Sequence, residues 1–224
     1  MDNKIEEFVY KKWNKNTYNK FINYLKSIKD DKYMLFQSKL IPNNTYKIIG
    51  IKIPKLRNIA KNILKTDYNE FINISDNKYL EEVLLKSFII SKIKNKEEQI
   101  RYINNLIPLL NNWCLCDSFC SSMKCIKNNL EFYYNFFNKY NSRVKIVIYL
   151  NYYLCDEYID KVFNEIKSIK TNDYYINMAI SWLLCTAYTK YKDKVIEYLN
   201  TCQNEDIIKM TKLKIRDSKK IKES

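Results

Sequence analysis

The segment PKLRNIAKNILK, residues 54–65, carries the periodicity that sets the fold class. Its apolar side chains recur three and four positions apart, which is the spacing of one helical face. They are Leu56, Ile59, Ala60, Ile63 and Leu64. The lysines fall outside this stripe, and Pro54 suits the first turn of a helix, where a missing N–H costs little. The segment therefore predicts an amphipathic helix that buries one face.

The same helical pattern recurs along the whole chain. Further helices are predicted to begin near Asp2, Asp30, Lys78, Glu97, Trp113, Leu130, Arg143, Glu157, Tyr174 and Asp193. Short runs of Asn, Asp, Ser or Lys separate them, so consecutive helices should pair. The 224 residues include one Gly and three Pro, which excludes Gly-rich phosphate loops and the many turns of a β-sandwich. We expect a nearly all-α protein.

The spacing of the helix pairs indicates a repeat architecture. Pairs that begin near Lys78, Trp113, Arg143 and Tyr174 lie roughly 30 to 35 residues apart, which is close to the period of helical-hairpin repeats. Such hairpins stack to bury their second faces and form a curved array with a concave groove. We therefore predict a single domain spanning residues 1–224, with an irregular helical bundle as the alternative.

Basic residues are concentrated in two segments of a chain whose net charge is +14. Residues 43–66 hold six basic residues and no acid, and residues 209–222 hold seven against Asp217 alone. The basic residues are Lys47, Lys52, Lys55, Arg57, Lys61 and Lys65, then Lys209, Lys212, Lys214, Arg216, Lys219, Lys220 and Lys222. This excess favours a polyanionic partner. Biased codon usage and merely solvated faces are the alternatives.

The chain contains no histidine and seven cysteines. The first fact excludes Ser/His/Asp and Cys/His nucleophile systems and the commonest zinc ligand. An odd number of cysteines behind an N-terminus unlike a signal peptide indicates reduced, intracellular thiols. The cysteines between positions 114 and 125 lack paired metal-site spacing, so we expect no metal. No apolar run is long enough to span a membrane.

The segment NNWCLCDSFC, residues 111–120, supplies the first candidate site. A helix that begins after the capping Asn pair places Trp113 and Asp117 on one face, four residues apart. The leucine and phenylalanine then point into the core, which leaves Cys116 and Cys120 on the candidate surface. An acid near a helix N-terminus is also favoured by the helix dipole alone, so a structural role stays open.

Trp182 and Arg143, which come later in the chain, are further candidates for this site. Trp182 lies off the apolar stripe of its predicted helix, where it either packs on the next repeat or lines a ligand groove. Arg143 opens the segment RVKIVIYLNYYL, and its planar guanidinium is suited to a two-pronged grip on phosphate. A surface ion pair is the alternative role of Arg143.

NNWCLCDSFC resembles the NWxxxD segment of the AlkD-like DNA alkylation repair glycosylases. The resemblance continues through GIKIPKLRNIAKNIL, SRVKIVIYLNYYL, NMAISWLLCTAYTKYKDKVIEYL and the basic KLKIRDSKK, and it covers most of the chain from about residue 30. It implies a superhelical array of HEAT-like antiparallel helix pairs whose concave basic groove binds duplex DNA. Several segments in the same order are more specific than any one of them.

The resemblance also implies residue roles. Asp117 corresponds to the catalytic aspartate, Trp113 and Trp182 to the paired tryptophans, and Arg143 to the phosphate-binding arginine. Apart from the resemblance, we predict contacts to the DNA backbone from basic residues, namely Lys52, Lys55, Arg57, Lys145, Lys214 and Arg216. Cys114 and Cys185 stand where family members often carry polar or charged residues.

The implied activity is hydrolysis of the N-glycosidic bond of cationic N3- or N7-alkylated purines in duplex DNA, without base flipping. We predict a monomer that needs neither cofactor nor metal, located in the cytoplasm and associated with the nucleoid when bound to DNA. Two other functions stay open: a non-catalytic repeat protein that recognises branched or damaged DNA, and a protein-interaction scaffold.

Overall fold

The computed structural model describes residues 9–42, 44–140 and 142–218. Within these ranges the chain forms thirteen α-helices and no strand, and 71% of it is helical. The described residues form one isolated bridge, between Lys47 and Tyr79. The prediction of an all-α protein is confirmed. No helix in the described ranges combines the length and the apolar character needed to cross a membrane.

Contacts divide the chain into two compact units, the first ending at Met123 and the second beginning at Lys124. The helices of the first unit are α1 (Lys15–Ser27), α2 (Asp31–Leu40), α3 (Ile53–Ile63), α4 (Tyr68–Ile74), α5 (Leu80–Ile90), α6 (Lys96–Leu106) and α7 (Trp113–Ser122). Those of the second are α8 (Leu130–Asn138), α9 (Arg143–Tyr152), α10 (Ile159–Ser168), α11 (Tyr174–Tyr188), α12 (Lys192–Thr201) and α13 (Glu205–Asp217). Short 3-10 helices occupy Ile107–Leu109 and Lys124–Asn128.

Asn and Asp side chains set where most helices of the first unit begin. A side-chain oxygen accepts a hydrogen bond from a free backbone N–H of the first turn, which the helix itself leaves without a partner. The capping residues are Asn14, Asp30, Asp67, Asn95 and Asn112. The polar residues that separate the helical patterns in the sequence therefore act as the helix starts.

Helix α5 is the centre of the first unit. All eleven of its residues are buried, and α3, α6 and α7 pack against it. A helix that is covered all round shows no apolar stripe in its sequence. Its polar residues must therefore find partners inside the unit.

Glu81 of α5 holds the segment that leads into α3. Its carboxylate accepts hydrogen bonds from the backbone N–H groups of Ile49 at 3.0 Å, Gly50 at 2.7 Å and Ile51 at 3.3 Å. Gly50 has φ +95°, and a Cβ there would lie 2.5 Å from the carbonyl oxygen of Asp30. Glycine is thus the residue that this turn accepts. The turn fixes the start of the basic helix α3.

Helix α11 has the same central place in the second unit. It packs against α9, α12 and α13, and the long helices α9, α11 and α13 begin at nearly even intervals along the chain. Aromatic rings fill the core beneath α8 and α9, where Tyr134 stacks on Tyr149 at 5.4 Å and contacts Tyr153 edge-on. The superhelical HEAT-like arrangement, its basic groove and the single domain stay predictions.

Most predicted helix starts agree with the structure within two residues. The start near Asp2 lies outside the described residues. The pattern did not predict three helices, α1, α4 and α13. Helix α4 has seven residues, too few to show periodicity, and α13 carries the charges that marked its segment as a basic end.

Candidate functional site

The N-terminus of α7 positions the candidate carboxylate. Asn112 is buried, and its Oδ1 accepts from the N–H of Leu115 at 3.1 Å, so the helix begins at Trp113. Leu115 is fully buried, as predicted. Cys116 and Cys120 are also fully buried, so their predicted place on the candidate surface was wrong. Their side chains are small enough to fit between packed helices.

Trp113 and Asp117 lie one turn apart on α7, and both are half-buried. The indole Nε1–H of Trp113 donates to the carbonyl oxygen of Leu40 at 3.1 Å. This bond satisfies one of the carbonyls that the end of α2 leaves without a partner, and it fixes the orientation of the indole. Asp117 is thus one helical turn from an aromatic side chain that is held in place.

Cys114 lies between Trp113 and Asp117 in the chain and is half-buried. Burial, followed by the negative charge of Asp117, raises the pKa of the Cys114 thiol to about 11. The thiol is therefore protonated at neutral pH and is a poor nucleophile. Among the residues around Trp113, the carboxylate is the group suited to chemistry.

The basic residues of α3 lie in the same unit. Arg57 is exposed, and its Cζ lies 4.3 Å from the ring centroid of Phe88. Its Nη1 donates to Oγ of Ser122 at 2.8 Å, so it connects α3 to the last residue of α7. Lys52 forms an exposed ion pair with Asp30 at 3.3 Å, and Lys55 is half-buried.

Trp182 lies close to two cations in the second unit. Its side chain on α11 is 41% exposed, and its ring centroid is 4.9 Å from Nζ of Lys214 and 5.9 Å from Cζ of Arg143. Both distances lie within the reach of a cation–π interaction. Burial, followed by the charge of Arg143, lowers the pKa of Lys214. Nη1 of Arg143 also donates to the carbonyl oxygen of Tyr175 at 2.6 Å.

A cavity of about 510 Å³ opens beside this indole. It is lined by Leu150, Trp182, Cys185, Thr186, Leu213, Lys214, Asp217 and Ser218. Burial raises the pKa of the Cys185 thiol, so this cysteine too is protonated at neutral pH. The cavity therefore offers an aromatic face and a cation, and no thiolate.

The remaining predicted backbone contacts differ in exposure. Arg216 is exposed, and its Nε donates to Oδ1 of Asp217 at 2.9 Å. Lys145 is 1% exposed, and its Nζ forms an internal ion pair with Glu165 at 3.1 Å. Lys145 offers no surface to a phosphate in this structure. The surrounding sequence could not show this, because Glu165 lies on the next helix.

Two buried polar residues were missed by sequence reasoning. Glu81 holds the turn before α3, and Gln37 is the one buried residue of α2. The Oε1 atom of Gln37 has no hydrogen-bond partner among the described residues. The segment DKYMLFQSKL has no apolar stripe, so no signal in it identifies glutamine as the inward residue.

The predicted residues form two groups, each within one unit. Trp113 and Asp117 share α7 of the first unit, whereas Arg143 and Trp182 lie together in the second. The described residues contain no cluster of three or more Cys, Asp or Glu side chains that could hold a metal ion. A carboxylate beside one indole, and cations around another, thus make up the candidate chemistry.

These helices and side chains define an all-α, strongly basic protein with a carboxylate–indole pair. The family model of the DNA alkylation repair enzymes matches residues 11–220, and the chain belongs to this family. The predicted family is thereby confirmed, and membership supports a role in DNA repair. No curated protein matches the chain in sequence.

Proposed function

We propose that this protein is a DNA glycosylase that removes cationic N3- and N7-alkylated purines from duplex DNA. The observation that carries the proposal is the pair formed by Asp117 and Trp113 at the start of α7, in a chain that belongs to the DNA alkylation repair family. The pair provides a carboxylate beside a fixed aromatic face.

The absence of histidine from the sequence agrees with this reaction. An N3- or N7-alkylated purine is already cationic, so it can leave the deoxyribose without protonation by a general acid. As the C1′–N bond breaks, positive charge develops on the sugar. A carboxylate stabilises this charge more than it stabilises the neutral sugar of the ground state, and such a difference lowers the barrier.

Asp117 would stabilise the developing sugar cation and orient the attacking water. The water oxygen forms the new bond to C1′, its proton passes to the carboxylate or to solvent, and the neutral alkylpurine is released. Trp113 and Trp182 would each offer a ring face to positive charge, and each would contribute about 0.5 to 2 kcal/mol. Trp182 already engages cations with its ring in this structure.

Arg143 would bind a phosphate next to the lesion, because a guanidinium presents several N–H donors in one plane. The exposed or half-buried cations Lys52, Lys55, Arg57, Lys214 and Arg216 would follow the backbone on either side. We leave the buried Lys145 out of this set. The damaged base would stay in the duplex, so bulky N7 adducts should be tolerated. We propose a monomeric, cytoplasmic enzyme that associates with the nucleoid.

The test is release of free base from duplex DNA that carries 3-methyladenine, 7-methylguanine or a bulky N7 adduct. We expect release of both methylated bases and of the bulky adduct. Release of the small adducts alone would contradict excision without flipping. Tight, salt-sensitive binding with no release of any base would support a non-catalytic DNA-binding protein instead. If the protein did not bind DNA at moderate salt concentration, the result would favour a protein-interaction scaffold.

A further inference from the structure

Helix α2 turns its apolar side chains outward. Leu35 and Phe36 are each 57% exposed and Leu40 is 45% exposed, whereas the buried residue of the helix is Gln37. A surface helix normally buries its apolar residues and exposes its polar ones. A group of exposed apolar side chains indicates a surface that a partner covers.

Two lysines flank these apolar side chains. Lys32 lies four residues before Phe36, and Lys39 lies four residues after Leu35, so helical spacing places both on the same side of α2. Both are exposed and form no ion pair within the described ranges. The exposed face of α2 therefore has an apolar centre with cations beside it.

Both ends of α2 are held by residues of the proposed DNA-binding region. At its C-terminus, the Leu40 carbonyl accepts the indole N–H of Trp113. At its N-terminus, the N–H of Asp30 donates to the Gly50 carbonyl at 2.9 Å, and the carboxylate of Asp30 pairs with Lys52. Helix α2 is thus fixed within its unit between the start of α3 and the indole beside Asp117.

We infer that the exposed face of α2, formed by Lys32, Leu35, Phe36, Lys39 and Leu40, is an apolar wedge that contacts a base step of the bound duplex. This inference rests on the proposed function. Proteins that contact the minor groove use apolar side chains to part neighbouring bases, and cations nearby bind the flanking phosphates. Phe36 and Leu35 have the size and exposure for the first role, and the two lysines have the charge for the second.

The charge of the chain favours DNA over a second copy of the protein as the occupant of this face. With a net charge of +14, two copies that meet through faces carrying unpaired lysines repel each other. A polyanion is attracted by the same lysines, and the counterions that it releases on binding increase its affinity. Parting two stacked base pairs takes less free energy where one of them is damaged. An apolar wedge could therefore distinguish a damaged base step while the damaged base stays in the duplex.

The experiment uses a duplex in which the fluorescent base 2-aminopurine is next to a 2′-fluorinated 7-methylguanine that resists hydrolysis. Fluorescence rises when the step beside the probe is parted. The full-length protein is compared with the double variant Leu35→Ser, Phe36→Ser and with the matched control Ile196→Ser, which changes another exposed apolar residue on α12. Thermal unfolding of each protein verifies that the fold is retained.

We expect a several-fold rise in fluorescence with saturating wild-type protein and with the control, and less than half that rise with the double variant. An equal rise with all three proteins, or no rise with the wild type, would overturn the wedge. If the double variant alone lowered the sedimentation coefficient, and the fluorescence were unchanged, the face would be a dimer contact instead.

Base release from hydrolysable DNA is measured separately, so the wedge and the glycosylase activity can fail independently. A rise in fluorescence that the double variant loses, without any base release, would support the DNA contact of α2 and contradict the glycosylase activity. If the double variant released the base at the wild-type rate and gave the same rise in fluorescence as the wild type, the glycosylase activity would be supported and the wedge contradicted.

Discussion

At the scale of single residues, Arg143 shows how one guanidinium can serve several partners. One N–H group donates to the carbonyl of Tyr175 at 2.6 Å, and the plane lies near the face of Trp182. A guanidinium carries five N–H donors in a rigid fork, and a bond to the carbonyl orients this fork. A lysine at this position would keep the positive charge but would lack the planar arrangement of N–H donors.

We expect Arg143→Ala to weaken duplex binding and to reduce the slope of log affinity against log salt by about 1, because one phosphate contact is lost. Arg143→Lys should keep most of the slope but bind more weakly. The control is Arg101→Ala, an exposed arginine on α6 outside the proposed contacts. Titrations at several salt concentrations measure both quantities. Equal slopes for Arg143→Ala and the control would contradict the phosphate contact.

The sequence predicted single residues only in part where a helix has one exposed face, because the buried Cys116 and Cys120 of α7 had been predicted on the candidate surface. The spacing of Trp113 and Asp117 indicated a shared face on α7, and the structure has a helix that begins at Trp113. The sequence predicted single residues poorly where a helix is buried on most sides. Lys145 lies on such a helix, and its partner Glu165 is brought to it by the packing of α10, which a local pattern cannot show.

At the scale of elements, the turn before α3 depends on one buried carboxylate. Burial raises the pKa of Glu81, and the N–H donors of Ile49, Gly50 and Ile51 oppose this by favouring the ionised form. A carboxylate can accept all of these bonds because it has no donor of its own. An amide at the same place would direct N–H groups at other N–H groups.

We therefore expect Glu81→Gln to lower the free energy of unfolding by about 1 to 3 kcal/mol, because buried backbone donors lose their acceptor. Glu97→Gln, in the exposed first turn of α6, is the matched control and should change it by less than about 0.5 kcal/mol. Urea unfolding followed by circular dichroism measures both. Equal stabilities of the two variants would show that the carboxylate does not hold the turn.

Elements were predicted from the sequence when they were long and amphipathic, as α3 and α10 are. The three missed helices have other causes of stability. Helix α4 is short and is fixed by the packing of its buried Phe71 against Trp13. Helix α13 begins at Asn204, whose side chain accepts from two backbone N–H groups, and it packs closely on α11. The packing of α4 and α13 acts through space, so a local pattern does not show it.

At the scale of the whole molecule, buried phenols make the second unit sensitive to alkali. Burial raises the pKa of Tyr149, Tyr153 and Tyr198 above the usual value of about 10. A phenol whose folded pKa is raised binds its proton more tightly in the folded state. Its contribution to stability is complete below about pH 10 and is lost as the pH rises further.

We expect cooperative unfolding above about pH 10, in which tyrosinate absorbance rises together with the loss of helical circular dichroism. Tyr153→Phe should move the midpoint to higher pH, because one buried phenol no longer ionises. Tyr174→Phe, at a side chain that is 56% exposed, should leave the midpoint unchanged. Gradual titration of all tyrosines with the helices intact would contradict this prediction.

The class of the whole molecule followed from its composition. One Gly, three Pro and helical periodicity predicted an all-α chain, and an excess of cations predicted an anionic partner. The curvature of a repeat array depends on many small contacts between neighbouring helices, and no single segment encodes it. The groove that would gather the basic segments is therefore still a prediction, whereas membership in the DNA alkylation repair family is shown over residues 11–220.

The central claim is that the carboxylate of Asp117 stabilises the sugar cation during base release. The most direct measurement is the single-turnover rate of 3-methyladenine release from duplex DNA by the wild type and by Asp117→Asn. The control is Asp193→Asn, in the exposed first turn of α12. We predict a loss of about 10²- to 10³-fold for Asp117→Asn, with duplex binding retained and the control unchanged. Release by Asp117→Asn at the wild-type rate would contradict the proposed mechanism.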